Sequence, residues 1–219
     1  MRDKKNFISD EKLLEVVLLS LLVSGTATML AALVGLPLAI VIALRDFKGK
    51  WVLRNMFNAF LGIPTVALGF ILVILLARTG PFGFLDLLFT PAGIAVGEAI
   101  LVTPIVVSFT VSALESVDLD IKNLARTLGA SEGQTSLAVL SEAKKGIALA
   151  IIASFNRAIA ELGVALMVGG NILGYTRVMT TAISRDVTMW NIPEAYELTA
   201  ILLAIVFAMT FAINILRRD

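Results

Sequence analysis

Arg157 and Glu161 stand four residues apart in a run that is otherwise almost wholly apolar from Ile147 to Val168. On a helix that spacing puts both side chains on one face, where a guanidinium and a carboxylate can pair. At 1.5 Å per residue, Arg157 lies about 15 Å along the run. In a membrane-spanning helix this is near the midplane, where a charge is costly unless it meets a partner or a cavity. Two chemistries fit: an internal pair that holds helix orientation, or an Arg157 that lines a path and lowers the barrier for a divalent oxyanion. Downstream, Gly169, Gly170 and Asn171 either bare backbone N–H groups to an anion or close the helix. Thr176 and Arg177 offer donors that suit a path mouth or a surface for docking another protein. Glu98, in a separate apolar run, reads as a carboxylate that snorkels to an interface or pairs between helices, with no assigned role.

Absences narrow the chemistry further. The chain has no Cys and no His, which removes disulfides, thiol nucleophiles, His-based proteolysis and the usual transition-metal ligand sets. Its net charge is +1, without the basic surplus of a nucleic-acid binder. Gly129-Ala-Ser-Glu-Gly-Gln-Thr-Ser136 has the look of a phosphate loop but lacks the spacing and lysine of G-x-x-x-x-G-K-[ST]. No cofactor is expected in this chain.

The elements that position these residues follow from hydropathy. Of the 219 residues 58% are hydrophobic, and the mean hydropathy is +0.92, beyond the range of soluble domains. Five runs approach or exceed the roughly 20 residues needed to cross a bilayer. They are about 13 to 44, 57 to 77, 93 to 114, 147 to 168 and 195 to 216, in one membrane domain covering the whole chain, 1 to 219. Gly35 and Pro37 are candidates to kink the first. Small residues around Ser24 to Thr28, and at Gly62 and Gly69, suit close helix packing. The stretch after the polar N-terminus is too long for a signal-peptide core and reads as a retained span.

With five spans the termini lie on opposite sides. One set of loops holds ten basic residues (Arg45, Lys48, Lys50, Arg54, Lys122, Arg126, Lys144, Lys145, Arg217, Arg218). The other holds seven (Arg2, Lys4, Lys5, Lys12, Arg78, Arg177, Arg185). The positive-inside rule puts the first set, with the C-terminus, in the cytoplasm and the N-terminus outside. Trp51 and Trp190 flank spans, where contact with membrane lipid explains them.

Between the third and fourth runs lies a polar island, about 115 to 146, with nine charged residues. A plain connection would be about 4–6 residues long. Leu119, Ile121, Leu124, Ala125 and Leu128 recur at helical spacing, Asp118 and Asp120 suit a helix N-terminus, and Gly129 offers a break before a second helical stretch near 137 to 140. The expected unit is helix, glycine turn, helix.

Leu124-Ala-Arg-Thr-Leu-Gly-Ala-Ser131 resembles the cytoplasmic EAA loop of ABC-importer permeases, whose short helix docks in a groove of the ATP-hydrolysing subunit. By that resemblance Asn123, Leu124, Ala125, Arg126, Gly129, Ala130 and Ser131 form the ATPase-coupling edge. Asn123 stands at the family's Glu, Leu124 at its first Ala and Glu142 at its closing proline, whereas Ala125 and Gly129 keep the pattern. The stretches Gly80 to Pro91 and Glu161 to Ile183 resemble the tungstate-type branch of molybdate and tungstate importers. The resemblance implies an all-α, five-span permease of the type I importer class in a prokaryotic plasma membrane. It further implies a homodimer, two cytoplasmic ATPases that bring ATP and magnesium, and an extracytoplasmic oxyanion-binding protein. The competing expectation is a stand-alone carrier or channel for a small anion, coupled through Arg157, Glu161 and Glu98.

Overall fold

The structure is a computed structural model that describes residues 10–218; Arg2, Lys4 and Lys5 of the orientation argument lie outside them. The described residues are helical almost throughout, in the order α1 (Asp10–Leu44), α2 (Lys50–Phe60), α3 (Thr65–Leu76), a 3-10 turn (Gly83–Leu85), α4 (Pro91–Glu115), α5 (Leu119–Thr127), α6 (Glu132–Ile159), α7 (Gly163–Gly169), α8 (Met179–Thr188) and α9 (Ile192–Arg218).

Helix α4 is the centre. Its most apolar window is 67% buried, against 11% for that of α9, whose Leu203, Phe207 and Phe211 face outward as lipid-facing residues do. Its start is fixed by Thr90, whose hydroxyl accepts the Gly93 N–H at 3.0 Å, and by Pro91 in the first turn, where no amide donor is missed. Along α1, Val16, Ser20, Val23, Ala27 and Ala31 recur every three or four residues and are buried, whereas Leu14, Leu18, Leu22 and Leu33 point away. Small side chains on the buried stripe let the two backbones approach: a Cβ on Gly35 would sit 2.9 Å from Val106 Cγ1. Helix α1 runs unbroken through Pro37.

Among the described residues three helices (α1, α4 and α9) are long and apolar enough to cross a membrane, and the number reaches five if two bent pairs each count as one span. These pairs are where the structure departs from simple runs. The second expected span, 57 to 77, is divided between α2 and α3, which meet at 102°. Gly62 and Pro64 lie in the break; proline disfavours helical backbone in the residue before it, and Pro64 itself takes an extended ψ of 121°. The helix that carries most of the fourth expected span, 147 to 168, begins at Glu132, because the second helix of the polar island is the first half of α6. It then breaks at 160–162 and turns by 57° into α7. Helix α8 occupies a stretch expected as loop.

Candidate functional site

The two breaks touch. A Cβ on Gly163 would lie 2.6 Å from Thr65 Oγ1 and 2.9 Å from the Val66 amide nitrogen, and one on Gly69 would lie 2.9 Å from Met167 Cβ. Glycine is what allows α7 to lie against α3 at this distance.

Glu161 sits in the second break and is 2% exposed. Its Oε2 accepts Arg157 Nη1 at 2.6 Å, its Oε1 accepts the Val164 N–H at 3.0 Å, and its backbone carbonyl accepts the Thr180 hydroxyl at 2.7 Å. One residue thereby ties α6, α7 and α8. The break leaves helix-terminal N–H groups without intrahelical partners, and the carboxylate satisfies one of them while meeting a cation. Arg157 keeps 37% of its side chain exposed. A guanidinium has five N–H donors, so those on the open side remain available to an anion. Next to it, Asn156 Nδ2 donates to Thr210 Oγ1 at 3.0 Å and joins α6 to α9.

Glu98 does not snorkel. It is 1% exposed and accepts the Ser24 hydroxyl from α1 at 3.1 Å, within electrostatic reach of Arg157 and Glu161. The sequence held the signal, since an ionisable side chain inside a span is rarely idle. What it lacked was the partner, a serine 74 positions away.

The downstream candidates form a separate cluster at the end of the bundle that carries α8. Thr176 is fully buried, donates to Gly169 O at 2.6 Å and accepts the Ile172 N–H at 2.9 Å. Arg177 donates through Nε to Asn171 Oδ1 at 2.9 Å and through Nη2 to Asn171 O at 3.2 Å. Gly170 and Asn171 both have positive φ, 69° and 53°. A Cβ on Gly169 would meet Ile94 Cδ1 at 2.5 Å, and one on Gly170 would meet Phe89 Cδ1 at 2.7 Å. Burial, and then the positive charge of Arg185, lower Arg177 from its ordinary value; Asp186 opposes them. The structure thus brings Arg157 and Glu161 together, and separately Gly169, Gly170, Asn171, Thr176 and Arg177.

At the opposite end, α5 and the start of α6 form an elbow that carries Asn123, Leu124, Ala125, Arg126, Gly129, Ala130 and Ser131. Asp118 Oδ1 accepts the Asp120 N–H at 3.0 Å and starts α5. The helix ends as a Schellman turn: Gly129 N–H donates to Arg126 O and Ala130 N–H to Ala125 O, both at 3.0 Å. Gly129 has φ of 82° and nothing within 4 Å of a would-be Cβ, so backbone conformation rather than space calls for glycine. Ser131 opens α6 with a capping box, its hydroxyl accepting Gln134 N–H at 3.4 Å and its own N–H donating to Gln134 Oε1 at 2.8 Å. Leu124, Leu128 and Leu137 are 61%, 78% and 66% exposed, an apolar face on an otherwise polar projection.

Comparisons with known proteins agree with this architecture. The chain is 38% identical to a probable anion ABC transporter permease protein of Haloferax volcanii, across 90% of this chain and 87% of that protein. It is 35% identical to the tungstate uptake system permease protein TupB of Peptoclostridium acidaminophilum, across 96% and 92%. Among solved structures, an inward-facing conformation of the MetNI methionine ABC transporter has a chain with a TM-score of 0.79 at 17% identity, covering 98% of this chain and 99% of that one, a likeness of fold. Residues 35–218 match the family described as binding-protein-dependent transport system inner membrane component, and this chain belongs to that family.

Proposed function

We propose that this chain is the permease of an importer for tungstate or a closely related oxyanion, driven by ATP hydrolysis in a separate subunit. The chain is a transporter subunit and not an enzyme. The observation that carries the reading is the elbow: a short exposed helix with a leucine face, set at a fixed angle by the Gly129 turn, in a chain similar over nearly its full length to a tungstate uptake permease. Two copies would surround a path on their two-fold axis. Two cytoplasmic ATPases, carrying ATP and magnesium, would grip the elbows through Asn123 to Ser131, and an extracytoplasmic binding protein would deliver the oxyanion near Thr176 and Arg177.

The excess of basic residues on the elbow's side supports a cytoplasmic elbow and C-terminus and an external N-terminus. Arg157 is the group proposed to face the oxyanion. Its partly exposed guanidinium, beside the break at the buried Glu161, leaves N–H donors that suit this role.

The test is reconstitution of the chain with its ATPase and binding protein in proteoliposomes. Tungstate uptake that requires ATP and all components is expected, with Arg157→Gln losing uptake while assembly and ATP hydrolysis persist. Uptake by the chain alone would transfer the reading to a stand-alone carrier, and loss of assembly in Arg157→Gln would make Arg157 structural. Because the native chain has no cysteine, labelling of Leu124→Cys from the cytoplasmic side only is the matching test of orientation.

A further inference from the structure

Helix α2 is lightly anchored to the bundle. None of its residues is buried, and two open spaces lie along its contact with the core. One, of about 250 Å³, is lined by Ile42, Arg54, Phe57, Val107 and Ser108, and the Ser108 hydroxyl has no protein partner. The other, of about 440 Å³, lies under Phe57 and Phe60 against Ile100 and Thr103. Elements with few buried contacts and incomplete packing are those that move at low cost. Leu53 and Phe57 pack partially on the cluster around Ile42 and Leu114, and among the described residues the ion pair between α2 and α4 is that of the partly exposed Arg54 and Glu115, Nη1 to Oε2 at 2.8 Å.

The position of that pair is informative. Glu115 is the last residue of α4, and Asp118, which starts α5, follows three residues later. A rotation of α5 relative to α4 therefore reaches α4 next to Glu115, by a route separate from the continuous α6. At its other end α2 runs into the break before Pro64, where α3 begins against Gly163, two residues from Glu161 and its bond to Arg157. A loosely packed helix thus connects the root of the elbow to the paired breaks.

We propose that the Arg54–Glu115 ion pair is a tie that transmits movement of the α5 elbow through α2 to the paired breaks beside Arg157. The inference rests on the importer reading above. The two residues are positioning residues: they touch neither the oxyanion nor ATP, and they act by making α2 follow the elbow. With the tie cut, the elbow moves during ATP hydrolysis and α2 lags behind it.

The test uses the complete reconstituted importer and measures tungstate taken up per ATP hydrolysed. Wild type without ATP-dependent uptake would sink the importer reading itself, before any variant is compared. Given a working wild type, Arg54→Ala and Glu115→Ala are expected to keep most ATP hydrolysis and lose about fivefold or more in uptake per ATP. The reversed pair, Arg54→Glu with Glu115→Arg, is expected to regain most of the loss. Unchanged uptake per ATP in the single variants overturns the proposal, and so does a reversed pair no better than the singles. Should the alanine variants fail to assemble, Glu115→Gln keeps the side-chain size, removes the charge and carries the same expectation. Spin labels at Asn55→Cys and Ser116→Cys give a reading free of transport: their distance distribution is expected to broaden when Arg54→Ala is added, and an unchanged distribution counts against the tie.

Discussion

At Gly129 a helix ends with its turn in the open; at 160–162 a helix ends around one buried carboxylate, Glu161, flanked by exposed Ala160 and Leu162. The elbow is built from local rules: an aspartate that starts α5, a glycine of positive φ that stops it and a serine–glutamine capping box that starts α6. Each acts within a few residues and none needs the rest of the fold. The break at 160–162 obeys no local stop signal, since Ala160-Glu161-Leu162 contains neither glycine nor proline. Its local bonds, from Glu161 to Arg157 and to the Val164 N–H, are joined by distant ones: Thr180 donates to the Glu161 carbonyl, and Gly163 lets α7 rest on α3. One region carries its shape in its own sequence; the other borrows its shape from its neighbours.

If this difference is real, substitutions in the two regions must act with different strength. Glu161→Ala is expected to act most strongly, destabilising the chain by about 2–3 kcal/mol because the buried Val164 N–H loses its acceptor and Arg157 its partner. Denaturant unfolding in detergent micelles reads this, and a near-neutral result would mean that the break does not depend on the carboxylate. Gly163→Val follows, with a cost of about 1–3 kcal/mol from overpacking against the Thr65–Val66 backbone. The same unfolding assay measures it, and Gly163→Ala should already show part of the loss. Gly129→Ala is expected to cost about 1 kcal/mol or less in stability, as the price of left-handed backbone rather than of a clash. Its larger effect should be weakened co-purification of the ATPase, and normal transport with a bulky residue at Gly129 would remove the elbow from the coupling proposal. Arg126→Ala should be smallest, within about 0.5 kcal/mol, since its 3.7 Å contact with Glu132 joins exposed groups. A loss of 2 kcal/mol in the micelle assay would show that the elbow depends on more than local rules.

Legibility followed the same division. The elbow could be read from Asp118, the helical spacing of Leu124 and Leu128, and Gly129, because caps and turns are short-range chemistry. Hydropathy located the apolar runs, but a window that averages over about twenty residues cannot resolve a break inside one of them. That is why α2 and α3 merged into a single expected span despite Gly62 and Pro64. The helical stretch near 137–140 was legible, but its continuity with the fourth apolar run was not: Glu142, Lys144 and Lys145 lower the local hydropathy, although charged residues continue a helix as readily as leucine. Helix α8 was missed because it mixes buried Met179 and Ala182 with buried Thr180, Thr181 and Asp186, a pattern without a simple apolar stripe. Arg157 and Glu161 could be paired from their spacing alone. Ser24 and Glu98 could not, because their meeting depends on how α1 crosses α4.

That last contact bears on how the protein is made. Translation delivers α1 before α4, so the Ser24 hydroxyl is in place before the segment carrying Glu98 emerges. A carboxylate entering lipid on a solitary helix is penalised, whereas one entering beside a donor already in place finds a partner at once. The hydrogen bond between the two helices would then give the carboxyl group of the central helix its partner as soon as α4 packs on α1.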